Sequence, residues 1–326
     1  MPPQDSAAAS AGAPARRRFG SSWRWPAAAA LFAVTSLALA TALIYRPRTG
    51  EIAEPIRFTV TTPPEATSFG NTPGGADVMP VAVSPDGRWL TYGARIGGRQ
   101  QLWLRALEGI EARPLPGTDG ARYPFWSPDS RSIGFFTIND LRKVDVAGGT
   151  AQKIADVATG RGGTWNRDGT ILIGTLERGL FRVAATGALD PVASSGAGDE
   201  LVGQYPVFLP DGRHFLYWGI GGQVQNAIYI GTLDSNERQL LVAADHGAQY
   251  AAGQLLFVSG RSLMAQPFDP VSRKMVGAPV LVAESVAVTS SGYAAFSASD
   301  NGILVTGSNP ATSTRLTWFD RSGKPP

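Results

Sequence analysis

The chain has 326 residues, with 29 basic and 26 acidic side chains, two histidines and no cysteine. The missing cysteine excludes disulfides, thiolate metal sites, iron–sulfur clusters and a cysteine nucleophile. Thirty-nine glycines and 24 prolines, without a long helical pattern, point to many short strands and turns, and 43% apolar residues can fill a sizeable core.

Charge is unevenly placed along the chain. Residues 1–50 hold six arginines and one acid, Asp5, which leaves the rest slightly acidic. A nucleic-acid partner needs a basic folded face to neutralise phosphates, and no such run appears, so no nucleic-acid binding is expected. Residues 1–22, rich in Ala, Ser, Pro and Arg, read as a disordered cytoplasmic tail because they have little apolar surface to bury.

Residues 25–45 then run without a charge. At a rise of about 1.5 Å per residue such a helix reaches roughly 30 Å, enough to cross the hydrocarbon core. Trp23, Trp25 and Tyr45 sit at its ends, where amphipathic rings favour the headgroup layer, and Pro26 falls in the first turn, where a missing N–H costs nothing. Residues 23–46 are therefore expected to form a transmembrane helix, with the bilayer as partner through residues 25–45. Arg16, Arg17, Arg18 and Arg24 precede the span while only Arg46 and Arg48 closely follow it, which favours a single-pass protein with a cytoplasmic N-terminus and a periplasmic or extracellular body. A cleaved signal peptide, with Ala38-Leu39-Ala40 as its small-residue site, is the alternative.

Residues 47–326 carry a repeat. A turn recurs as Ser84-Pro85-Asp86-Gly87, Ser127-Pro128-Asp129-Ser130, Asn166-Arg167-Asp168-Gly169 and Leu209-Pro210-Asp211-Gly212, and more weakly as Ser299-Asp300-Asn301-Gly302. The first four aspartates lie 43, 39 and 43 positions apart. Asp bonds its own backbone two residues on and Gly takes φ > 0 without a Cβ clash, so each turn reverses two strands into a hairpin. An apolar run precedes each turn (Tyr123-Pro124-Phe125-Trp126, Tyr205-Pro206-Val207-Phe208) and another follows it. A third alternating run and a shorter, more polar fourth complete each unit; Pro114 and Pro191 in the fourth place it at a sheet edge.

Four antiparallel strands every forty-odd residues describe propeller blades. The reading is an all-β, six-bladed β-propeller with two degenerate units after residue 250. The sixth unit takes its third strand from residues 315–319 and its fourth from residues 56–61, just beyond the span, which closes the ring and removes an open sheet edge. Trp89, Trp103, Trp126, Trp165, Trp218 and Trp318 recur at equivalent strand positions and are expected to pack between blades.

These turns, with aromatic residues before and apolar runs after, resemble the TolB-like (WD-repeat-like) propeller family. Residues 56–326 are also similar to the extracytoplasmic region of bacterial receptor-type serine/threonine protein kinases, in which a cytoplasmic kinase domain, a membrane helix and a propeller follow in order. The kinase itself does not carry over: HRD and DFG triplets and a G-x-G-x-x-G loop are absent, and only four lysines occur. The resemblance implies a membrane-anchored sensor or scaffold that binds an extracytoplasmic protein or small ligand.

Chemistry-bearing motifs are scarce. No G-x-S-x-G elbow occurs, and no calcium loop of the D-x-D-x-D-G type. His214 reads as a hairpin side chain and His246, in Asp245-His246-Gly247, as part of a loop between blades; so few ligands make a zinc site unexpected. Arg161-Gly162-Gly163 and Gly219-Ile220-Gly221-Gly222 read as flexible spots, and the first imitates a phosphate cradle only superficially because no helix follows it. Accordingly no catalytic, cofactor-binding or metal residue is assigned, no cofactor is expected, and the chain reads as a non-enzyme. The alternative is a hydrolase or sugar-processing enzyme using paired channel carboxylates.

Overall fold

The computed structural model describes residues 78, 80–192, 201–221, 224 and 226–307. They form small antiparallel sheets in chain order, each connected strand to neighbouring strand. Blade 1 is β1 (Val81–Val83), β2 (Trp89–Ile96), β3 (Arg99–Ala106) and β4 (Ala112–Pro114). Blade 2 is β5 (Arg122–Trp126), β6 (Ser132–Phe136), β7 (Asp140–Asp145) and β8 (Gln152–Asp156). Blade 3 is β9 (Gly160–Trp165), β10 (Ile171–Thr175), β11 (Gly179–Val183) and β12 (Leu189–Pro191). Blade 4 is β13 (Val202–Phe208), β14 (His214–Ile220), β15 (Asn226–Thr232) and β16 (Ser235–Ala243). Blade 5 joins β17 (Gln249–Ala251), β18 (Gln254–Ser259) and β19 (Ser262–Asp269), and both β20 (Lys274–Met275) and β21 (Val280–Ala283) pair with β19. Pro114 and Pro191 lie in β4 and β12, the outermost strands of their sheets, where a missing ladder donor is tolerated.

The described residues therefore hold five complete blades, and the expected sixth is corrected to a two-stranded sheet, β22 (Phe296–Ala298) with β23 (Leu304–Thr306). The Ser299–Gly302 turn does reverse these two strands, with Ser299 N–H donating to Ile303 O and Ile303 N–H to Ser299 Oγ. The further strands expected at 315–319 and 56–61 lie outside the described residues, as does Trp318. Among the described residues no helix is long and apolar enough to cross a membrane, and the span expected at 25–45 lies outside them.

Apolar side chains alternate between the two faces of each blade, so the core is divided into layers between blades. Ile171 and Ile173 pack with blade 2, while Leu172 between them packs with blade 4. Phe215 and Tyr217 face blade 3, and Leu216 and Trp218 face blade 5. The period of two in a strand thus supplies both of the layers that a blade shares with its two neighbours. Trp126 and Trp218 are buried in these layers, and Trp126 Nε1 donates across the blade interface to Ala82 O at 3.0 Å.

The turns build one rim. In blade 1, Ser84 Oγ donates to Asp86 Oδ1 at 2.5 Å and accepts the Arg88 and Trp89 amides, and Asp86 Oδ1 also accepts Arg88 N–H. Blade 2 repeats this with Ser127 and Asp129. Turns of neighbouring blades are then stitched together. Asp86 N–H donates to Ser130 Oγ, Asn166 Nδ2 to Gly212 O and Asn301 Nδ2 to Asp86 O. Ser130, which stands where the repeat has Gly, adopts φ +60°; its hydroxyl supplies the acceptor that glycine would lack.

Candidate functional site: the central channel

The innermost strands β1, β5, β9, β13, β17 and β22 surround a cavity of about 630 Å³. Its wall is mostly neutral: Val81, Pro124, Thr164, Val207, Ala248 and Phe296 contribute to it. Each of these strands is hydrogen-bonded to a sheet neighbour on one side only, so its other edge faces the axis.

Three tyrosines from alternate positions of the ring meet inside. Tyr123 lies 5.6 Å from Tyr205 and 5.5 Å from Tyr293 between ring centroids, and Tyr205 lies 6.2 Å from Tyr293. Tyr123 and Tyr205 hold the same place in their blades, four residues before the turn, at bulges in β5 and β13. Both have positive φ, +47° and +50°, a conformation that costs a non-glycine residue strain and aims its side chain where a regular strand would not. The equivalent residue of blade 3 is Gly162, also at positive φ; a Cβ there would lie 2.8 Å from the Tyr205 ring, so the missing side chain makes room for the cluster. Four residues of strand at about 3.3 Å each put the tyrosine floor roughly 13 Å below the turns, which makes the channel a cup.

The floor is neutral and tied down. Tyr205 Oη donates to Ser291 O at 2.9 Å, and Tyr293 Oη accepts the Val81 amide at 3.0 Å. Burial, reinforced by Tyr123, holds the Tyr205 hydroxyl well above the usual tyrosine range, and burial also raises Tyr293. The Arg161 guanidinium stands 5.8 Å from the Tyr123 ring centroid, a cation over an aromatic face.

The mouth carries the charge. Arg167, Asp168, Asp211 and Asp300 line it with Pro85, Pro128, Pro210 and Ala252. Asp211 is committed to structure: its carboxylate accepts the Arg213 and His214 amides and lies 2.5 Å from His214 Nδ1, while Arg273 Nη1 bonds His214 Nε2. Burial pushes Asp211 up, but the His214 ring and these amides outweigh it and hold the carboxyl below the ordinary range. Tyr250, also in the wall, is raised by burial and then by the nearby Asp300 and Asp269 carboxylates. A shallower hollow of about 430 Å³ adjoins the mouth between blades 2 and 3 and shares Pro128, Trp165, Asn166 and Arg167 with it.

The residues singled out in the sequence fall mostly into the framework. His214 belongs to an exposed latch between the blade 4 turn and the β19–β20 connection. His246 is buried beside Gly292, its Nδ1 without a hydrogen-bond partner among the described residues, and burial lowers its basicity more than Asp245 restores it. Arg161, Gly162 and Gly163 are part of β9 rather than a loop, and Gly219 and Ile220 end β14, so the first spot is corrected from flexible linker to channel wall. The tyrosine floor was missed, although the repeated Tyr-Pro at one offset from two turns was a visible signal. So was Arg167, which stands where three other repeats have Pro.

A scan against protein-family models finds no match. An uncharacterized peptidase, YuxL of Bacillus subtilis, is 31% identical over 142 residues; these are 41% of this chain and 20% of that protein, so the chain spans about a fifth of the relative's length. TolB from Acinetobacter baumannii aligns with a TM-score of 0.53 at 13% identity, covering 64% of this chain and 55% of that one. A TolB from Agrobacterium tumefaciens aligns at 0.49 with 15% identity, covering 64% and 79%. At these identities the structural likeness speaks to fold alone. The arrangement of small radial antiparallel sheets is that of a TolB-like β-propeller.

Proposed function

We propose that the chain is a non-catalytic, membrane-anchored propeller that captures a ligand outside the cytoplasm in the cup of its central channel, as the sensor or scaffold part of a receptor-kinase-like system. The observation that carries this reading is the cup itself: a neutral cavity of about 630 Å³ bounded by the innermost strands, floored by tyrosines and rimmed by charges. Cavities of about 300–1,000 Å³ with a few placed polar groups are the usual form of a small-ligand site. The uncharged run at 25–45, with its excess of preceding arginines, supports the anchor and the orientation. A carboxylate enzyme is the less favoured reading, because of the aspartates at the mouth Asp211 is occupied by His214 and by two amides, and Asp168 and Asp300 come from turns on different sides of the ring rather than forming a pair.

The test is a ligand screen by thermal shift on the full chain in detergent micelles. Compounds that bind the cup raise the melting temperature, and the shift disappears in Val207→Trp, which fills the cavity, and in Pro210→Trp, which narrows its mouth. Hits insensitive to both variants would remove the cup as the site. Turnover of a bound compound, followed by mass spectrometry, would overturn the non-catalytic assignment.

A further inference from the structure

The six turns at the mouth can be compared position by position. The second corner is Pro85, Pro128, Arg167, Pro210, Ala252 and Asp300 in blade order, and all six line the cavity. Only blade 3 and the β22–β23 hairpin place a charge there, and among the six innermost strands β9 and β22 stand three apart, which sets Arg167 and Asp300 across the mouth from one another.

Neither charge serves the framework. In blades 1, 2 and 4 the turn aspartate caps the amide two residues on. In blade 3 that work passes to Asn166, whose Oδ1 accepts the Asp168 and Thr170 amides at 3.1 and 2.9 Å. In the β22–β23 hairpin, Ser299 and Asn301 hold the turn. The side chains of Arg167, Asp168 and Asp300 consequently make no hydrogen bond or ion pair among the described residues, and all three are exposed at the mouth. Exposed charges that depart from a repeat and stabilise nothing inside the molecule mark a binding surface on a rigid scaffold.

We infer that the cup takes a short, zwitterionic oligopeptide, with its carboxylate on Arg167 and its ammonium on Asp300. The inference rests on the cup being the ligand site and adds the class of ligand. Between the two charges the wall is neutral, with Val81, Pro124, Val207 and Phe296 for apolar side chains. Inner-edge amides of β1, β13 and β22 are already taken by neighbouring side chains, Val81 by Tyr293 Oη, Val83 by Ser297 Oγ, Phe208 by Thr164 Oγ1 and Ala298 by Gln249, so recognition of the peptide rests on its two charged ends rather than on strand addition. Arg167 presents the planar fork that pairs with a carboxylate. Asp168, beside it, opposes the anion, so its removal should tighten the carboxylate contact.

Isothermal titration of the full chain in micelles with Ala-Leu-Ala, its N-acetyl form and its C-terminal amide tests this, with dialanine to pentaalanine as a length series. The free tripeptide should bind, and blocking either end should weaken binding on the order of tenfold, the value of one charge-assisted hydrogen bond. Arg167→Gln should abolish the discrimination against the amide alone, Asp300→Asn the discrimination against the acetyl form alone, and Asp168→Asn should sharpen the former. Equal binding of free and blocked peptides, no binding of any peptide, or unchanged discrimination in the variants would overturn the inference. Peptide binding insensitive to Val207→Trp and Pro210→Trp would overturn the cup as well. Cup ligands found by the screen, together with indifference to peptide ends, would overturn only the ligand class.

Discussion

At the scale of the residue, the turns explain why Ser and Asp occur together. Ser84 is fully buried, accepts two amides and donates to Asp86. Ser84→Ala leaves the Trp89 amide without this acceptor, while Asp86 still holds the Arg88 amide, and should cost about 1–3 kcal/mol, measured by chemical denaturation. Burial alone would raise Asp86, yet Ser84, the Arg88 amide and Ser130 hold it below the ordinary value; the Ser127 hydroxyl leads the same effect on Asp129. Because these folded-state values are depressed, their contribution is complete above the usual carboxylate range and is lost as the pH falls through it. Melting temperatures should therefore drop below about pH 4, and less steeply in Ser84→Ala. His246 acts in a higher window. Its basicity is lowered by burial, so protonation opposes folding and stability should decline as the pH falls below about 6.5. His246→Gln should flatten the melting curve between pH 7 and 5. The Ser-Pro-Asp-Gly turns were legible in the sequence because their bonds are local. The role of Ser130 was not, because its partner, the Asp86 amide, is 44 residues away.

At the scale of the element, alternation decides which substitutions matter. Leu172 is fully buried between blades 3 and 4, and Leu172→Ala should cost about 2–5 kcal/mol by the lost transfer energy and the cavity left behind. Leu281, in β21, is 52% exposed, so Leu281→Ser should change stability by less than about 0.5 kcal/mol in the same measurement. The first four blades matched the expected strand order because each strand is short, alternating and bounded by turn residues. The bulges in β5 and β13 escaped notice. They leave the composition of the strand intact and alter only its register, and it is register that turns Tyr123 and Tyr205 into the floor of the cup.

At the scale of the whole molecule, the ring holds its ends by side chains. Val83 N–H donates to Ser297 Oγ at 2.9 Å across 214 residues, and Gln249 bonds both Phe296 O and the Ala298 amide, so the β22–β23 hairpin bridges blades 5 and 1. A two-stranded unit held this way should open locally before the ring unfolds. In hydrogen exchange, Ser297→Ala should speed the Val83 amide selectively while amides of β10 and β14 keep their protection. The sequence by itself determined the class of fold, the period of the repeat and the edge strands, since these follow from turn chemistry and alternation within a few residues. Only the tertiary structure decided which side chains share the axis. Tyr123, Tyr205 and Tyr293 are brought together, and Arg167 and Asp300 set across one mouth, by the way the sheets are arranged about the axis, which sums small rotations between blades that no local pattern encodes.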